Sequence, residues 1–138
     1  MLVTWMYVSW ATFPMSEAVA RIRSIEAVSL RRNTDLGVTG ALIFAAGRVG
    51  QYIEGSPGAI RQLRALIEGD YRHRDIHTVL EDCPAHRRFA DWRITYRGWA
   101  AYVEKAIGSA QSPPPGQRDH AAQPLLRLLQ AFSSDERC

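Results

Sequence analysis

The spacing of apolar positions along the chain changes several times, and each change marks an element. Residues 2–10 are rich in β-branched and aromatic side chains and predict a strand, in which Val3, Trp5, Tyr7 and Ser9 share one face. Thr12, Phe13 and Pro14 turn the chain. Ser16 is then a good helix N-cap, with Glu17 where the helix dipole favours an anion. Ala18, Ile22, Ile25 and Ser29 recur at helical spacing, and Arg31-Arg32 are expected to end that helix with Asn33 as its C-terminal cap. Residues 38–46 are almost continuously apolar, as in a strand buried on both faces. A tight Gly47-Arg48 connection predicts a hairpin into a strand where Val49, Gln51 and Ile53 share one face and Tyr52 and Glu54 the other. Ser56-Pro57 starts a second helix and Gly69 ends it; Ile60, Leu63 and Ile67 form its apolar face, with Leu66 beside it. A charged turn, Asp70-Tyr71-Arg72-His73, leads to strands over 76–81 and 91–97, the last alternating Trp92, Ile94 and Tyr96 against Arg93 and Thr95.

This order predicts an α+β protein, a ferredoxin-like βαββαββ sandwich with a five-stranded sheet and both helices on one face. The other sheet face is apolar and needs a cover. A short helix over 99–107, with Trp99, Tyr102, Val103 and Ile107 on its apolar side, and a stripe of Leu125, Leu128, Leu129 and Phe132 can supply it. Between them, residues 112–116 (Ser-Pro-Pro-Pro-Gly) read as a stiff, extended linker. The chain thus divides into a domain over 1–97 and a helical extension over 98–138, where a partner could be met.

Composition narrows the function classes. At 138 residues the chain is one domain with an appendage, and the roughly 40 residues after Arg97 are too few for a separate output domain. The net charge of +3 comes from 17 basic and 14 acidic residues without a long basic block, so no nucleic-acid partner is expected. Cys83 and Cys138 lie far apart without metal-ligand spacing, which favours a reduced, cytoplasmic chain and no metal site. The apolar start lacks a basic segment and a cleavage pattern and is broken by Thr4, Ser9 and Pro14, so it predicts a strand, with no signal peptide or membrane span.

Gln51 is the polar residue on an otherwise apolar strand face, and a buried amide without partners costs roughly 1–3 kcal/mol. By itself it would be satisfied by backbone or water; Tyr7 would be a packed aromatic, Asn33 a cap, and Arg72-His73 a solvated turn. Together they form a pattern: Tyr7-Val8-Ser9, Asn33 followed by Val38-Thr39-Gly40-Ala41-Leu42, Gln51-Tyr52-Ile53-Glu54-Gly55, Asp70-Tyr71-Arg72-His73, and Arg87-Arg88-Phe89-Ala90-Asp91-Trp92. In order and spacing these segments resemble the BLUF domain, a blue-light sensor that holds a flavin between the two helices of a ferredoxin-like sheet. The resemblance covers roughly residues 2–97.

It implies a photoreceptor that is not an enzyme and binds FAD non-covalently, with FMN or riboflavin as alternatives. Tyr7 would be the electron and proton donor, and Gln51 the bridge from Tyr7 to the N5/O4 edge of the flavin. Asn33 would hold the C4 carbonyl and N3 side, with Arg32 beside it. Arg72 and His73 would hold the O2 side, ribityl chain or phosphate, braced by Asp70, and Trp92 would lie on the strand that relays the signal. An isoalloxazine ring needs aliphatic walls, which Ile22, Ile25, Ile60, Leu63 and Ile67 can supply, and amides that donate and accept. The implied output is a changed contact with an unnamed downstream protein or within a homo-oligomer.

Three residues depart from the family pattern. Ile94 stands where Met is usual, Arg32 where Asn or His is common, and Gly50 where a bulky apolar residue is usual, which predicts a looser pocket or compensation by Tyr52. Two other readings stay open: a flavin-free interaction module on this fold, and an acylphosphatase-like hydrolase. The hydrolase lacks support, because no glycine-rich anion loop comes after the first strand and no nucleophile–base pair is evident.

Overall fold

The computed structural model describes residues 1–113 and 115–135. Its elements are β1 (Val3–Ala11), α1 (Ala18–Asp35), β2 (Thr39–Ala45), β3 (Arg48–Gly55), α2 (Pro57–Glu68), β4 (His73–Leu80), β5 (Trp92–Gly98), α3 (Ala101–Gln111) and α4 (Arg118–Asp135). The sheet order is β4-β1-β3-β2-β5, parallel only between β2 and β5. This is the ferredoxin-like arrangement that the element order predicts.

Period-2 alternation divides the core into two layers. Trp5, Tyr7, Val49, Ile53, Trp92 and Ile94 pack with Ile22 of α1 and Ile60, Leu63 and Ile67 of α2. Met6, Val8, Ala41, Ile43 and Tyr52 pack on the opposite face with Val103 and Ile107 of α3 and Leu125 and Leu129 of α4. The C-terminal helices are therefore the cover that the second sheet face needs. Gly40 permits the close approach of β2 to β3: a Cβ there would lie 2.0 Å from the Tyr52 carbonyl oxygen.

Helix α2 begins as its sequence dictates, with Ser56 Oγ accepting the Ala59 N–H at 3.2 Å and Pro57 in the first turn. Helix α1 differs from expectation at both ends. Met15–Glu17 form a single 3-10 turn closed by Glu17 N–H to the Pro14 carbonyl, so Ser16 caps nothing and α1 starts at Ala18 without a side-chain cap. At the other end α1 runs past Arg31-Arg32 to Asp35, and Gly37, at φ +68°, takes the left-handed position. Asn33 is thereby buried inside the last turn and is not a cap. The hairpin turn is Ala46-Gly47, both at positive φ, and Arg48 is already paired in β3. Strand β4 starts at His73, earlier than its apolar run suggests.

Strand β5 also departs from simple alternation. Leu42 pairs with Ile94 and the next residue, Ile43, pairs with Tyr96, which leaves Thr95 as a bulge. One extra residue inverts the facing of the strand beyond it. Tyr96 therefore leaves the face of Trp92 and Ile94 and stacks on Phe132 of α4, centroids 5.1 Å apart, while its hydroxyl accepts the Ala100 N–H at 3.0 Å. In α3, Val103 and Ile107 are buried as expected, but Trp99, which precedes the helix, and Tyr102 are exposed. The apolar face of α4 is Ala122, Leu125, Leu126 and Leu129, with Leu128 half-buried beside it. Helices α3 and α4 pack on one another, and Gly116 between them has φ +78°; Pro114 within 112–116 and Cys138 lie outside the described residues.

Candidate functional site

A cleft opens between α1 and α2 over the β1–β3 face of the sheet. Tyr7 and Gln51 are direct partners in the antiparallel ladder, so their side chains rise side by side from its floor. Gln51 Nε2 donates to the Tyr7 hydroxyl oxygen at 2.5 Å, and Trp92 Nε1–H donates to Gln51 Oε1 at 3.0 Å. An indole N–H can only donate, so the Gln51 atom facing it must be the oxygen, and the NH2 must face Tyr7. Both ends of the amide are satisfied in a site where Gln51 is 4% exposed. Burial pushes the Tyr7 phenol well above its usual range, only partly offset by the bond from Gln51, so the phenol holds its proton at neutral pH.

The charged turn forms one rim. Asp70 accepts the Arg72 backbone N–H at 2.9 Å and is gripped by the Arg72 guanidinium, down to 2.6 Å. Burial alone would raise the Asp70 pKa, but the side-chain and backbone bonds from Arg72 outweigh it and hold the carboxyl below its usual range. His73 lines the cleft with both nitrogens engaged: Nε2 donates to the Ile67 carbonyl at 2.7 Å, and Nδ1 is hydrogen-bonded with Ser9 Oγ at 2.9 Å. His73 thus offers a ring face and edge to the cleft, with neither nitrogen free for a ligand.

The other rim comes from the end of α1. Among the described residues Arg32 reaches Asn33 Oδ1 and Ser29 Oγ, through long contacts of 3.4 and 3.5 Å. Desolvation, together with the nearby Arg72, lowers its guanidinium pKa. Asn33 is 1% exposed and its Nδ2 is buried with no partner. Such a group costs on the order of 1–3 kcal/mol unless an acceptor arrives; Asn33 itself does not line the cleft, whereas Ser29 and Arg32 of the same helix do.

Ile22, Ile25, Ile67 and Ile94 line the cleft, joined by Leu42 and Phe44 of β2, which the sequence pattern did not single out. The almost continuous apolar run of 38–46 concealed which β2 side chains face this way; their parity with Gly40 was the available signal. Leu63 and Ile60 belong to the core beneath the cleft, and Trp92, 3% exposed, lies behind Gln51. Gly50 faces away from the cleft: a Cβ there would meet Ile43 and Leu125 at 3.4 Å. Leu125 of α4 fills the space that a bulky residue would take, so neither a looser pocket nor compensation by Tyr52 results from Gly50. Among the described residues no group of His, Cys, Asp and Glu could hold a metal ion.

Residues 2–95 match the family described as BLUF, sensors of blue-light using FAD. Photoactivated adenylate cyclase subunit alpha of Euglena gracilis is 36% identical over 78 residues, 56% of this chain and 8% of that protein. Subunit beta of Euglena longa is 36% identical over 95 residues, 68% of this chain and 11% of that protein. The chain spans about a tenth of the length of these curated relatives. The dark-state structure of the BLUF protein BlrB superposes with a TM-score of 0.71 at 30% identity, covering 94% of this chain and 96% of that one. The photo-activated BlsA structure has the same fold, with a TM-score of 0.75 at 20% identity over 94% and 95% of the two chains.

Proposed function

Because the chain belongs to the BLUF family, sensors of blue light using FAD, we propose that it is a photoreceptor whose switch is the hydrogen-bonding of Gln51. The observation that carries this reading is the continuous line Tyr7–Gln51–Trp92, with the amide orientation fixed by a donor-only indole. The residues fit the cofactor. The unpartnered Asn33 amide would meet a ring carbonyl, Ile22, Ile25, Phe44, Ile67 and Ile94 would form the walls, and Arg32 and Arg72 would supply cations toward the polar end. His73 packs at the ring edge and Asp70 keeps Arg72 in place.

FAD, when bound, supplies an acceptor for one electron under blue light. The chain's own residues do the rest. Tyr7 gives up an electron and then its phenolic proton; the Gln51 NH2 already donates to the same oxygen at 2.5 Å, so it holds that oxygen in place and does not accept the proton. Gln51 responds by rotating or tautomerising. Rotation would set its NH2 against the Trp92 N–H, two donors face to face, so the Trp92 bond breaks and β5 feels the change.

Past the Thr95 bulge the same strand holds Tyr96 against Phe132 and Ala100. The output would therefore run from a sensor unit over 1–97 into the helices of 98–138, and from there to a second copy or another protein. No enzymatic step is part of this reading. Among the described residues no helix is long and apolar enough to cross a membrane, and the exposed free Cys83 suits a reducing cytoplasmic setting. Purified protein should be yellow, release all its colour on acid precipitation, and show a small reversible red shift of oxidised flavin under blue light. A colourless protein, or colour retained in the precipitate, would refute the assignment.

A further inference from the structure

Trp5 stands two positions before Tyr7 on β1, 1% exposed, and nothing in the switch uses it. Its ring stacks on that of Tyr7, with centroids 4.6 Å apart and planes at 30°. Its Nε1–H donates to Thr78 Oγ1 at 2.9 Å. The guanidinium of Arg64, from α2, lies 4.5 Å from the Trp5 ring centroid, reaches the same Thr78 hydroxyl at 3.4 Å, and pairs with Glu68 and Glu81.

Indole, like phenol, is readily oxidised by one electron. A phenol that has lost an electron but kept its proton is a stronger oxidant than an indole cation; once the proton has left, that advantage is gone. Oxidised Tyr7 therefore has two exits. It can lose its phenolic proton, or it can first take an electron from the stacked Trp5.

In the second exit Tyr7 is restored with its proton, and Trp5 is left one electron short. Thr78 is a hydroxyl already facing two donors and is no base, so Trp5 keeps its N–H and remains a cation. It is neutralised when the electron given to the photoexcited flavin returns. No bond has formed or broken, no proton has moved, and Gln51 is as it was. The positive charge of Arg64 opposes this exit, because a ring face that attracts a cation when neutral repels it when oxidised.

Resting on the photoreceptor reading, we propose that Trp5 is a second electron donor, reached through Tyr7, that competes with loss of the Tyr7 proton and lowers the photochemical yield, and that Arg64 restrains it. The test is ultrafast absorption of the FAD-loaded full chain, following the tryptophan radical cation, alongside the quantum yield of the red-shifted state. In Trp5→Phe the radical signal is lost although Trp92 is intact, and the yield rises. In Arg64→Gln, at a half-exposed position outside the cleft, the radical signal grows and the yield falls. Unchanged radical signal and yield in both variants overturn the proposal and leave the photoreceptor reading standing. Should Trp5→Phe fail to take up FAD, Arg64→Gln decides alone, and unchanged values there overturn it. A wild-type chain that takes up FAD but shows no light-induced red shift removes the photoreceptor reading, and this inference with it.

Discussion

Gln51 can face only one way while Trp92 lies beside it, and that single constraint gives the site a defined resting state. Asn33 is the complementary case, a buried amide with an unused donor. Asn33→Ala should leave the flavin-free protein close to wild type in thermal stability, since little protein bonding is lost. It should weaken FAD about tenfold, the equivalent of one hydrogen bond of ~1.4 kcal/mol, in titrations of the apoprotein. Equal FAD affinity in the variant would remove Asn33 from the site. Ile94 lines the cleft, separated from Gln51 by Leu42, which pairs with both, and methionine has a similar volume with a sulfur in place of a branch. Ile94→Met should change the dark-recovery time and leave the primary red shift; a shift present only in the variant would make the sulfur essential. Strand alternation put Tyr7 and Gln51 each on a largely apolar face of its own strand, but only the joint pattern of five segments set them in one site. The burial of Asn33 could not be read from the sequence, because an asparagine near a helix end carries the same letter whether it caps the helix or sits within its last turn.

Of the elements, β5 and α4 were the least legible. Trp92, Ile94 and Tyr96 alternate in sequence as a regular strand does, and only pairing with β2 and the reach of Tyr96 to Phe132 and Ala100 impose the bulge at Thr95. Helix α2, by contrast, could be read from its cap, proline and apolar face, because those signals are local. The docking of α4 depends on Gly50, a residue whose role lies wholly in what packs against it. One carbon fits there at 3.4 Å from Leu125, but a larger side chain must displace that leucine. Gly50→Leu should cost about 1–3 kcal/mol by overpacking. Hydrogen exchange should show lost protection confined to 118–135, while FAD still binds, because Gly50 faces away from the cleft. Loss of FAD with α4 still protected would contradict the placement of Gly50.

Across the whole molecule, buried polar groups tie the loop before β5 to the sheet. Glu54, fully buried, accepts the N–H groups of Arg88 and Phe89 at 2.9 Å and the hydroxyls of Thr39 and Tyr52. Arg88 pairs with Asp82 at 2.8 Å. Bonds from Arg88, opposed by burial and helped by Thr4, hold the Asp82 carboxyl below its usual range, as Arg72 does for Asp70. A depressed carboxyl pKa adds stability above the unfolded value of about 4 and loses it as pH falls through the folded value. The thermal midpoint should therefore hold from neutral pH to about 5 and fall below about 4. Asp82→Asn should lower the midpoint at neutral pH and make the acid fall shallower; an equally steep fall would show that Asp82 does not carry it. Both sheet faces were legible as apolar, but these ties were not, because they join residues far apart in the chain. The claim that the molecule is organised around Gln51 is tested most directly by the blue-light difference spectrum of FAD-loaded Gln51→Leu. The variant should keep its flavin, held by Asn33, Arg72 and the apolar walls, and show no red shift; bound flavin that shifts as in the wild type would contradict the account.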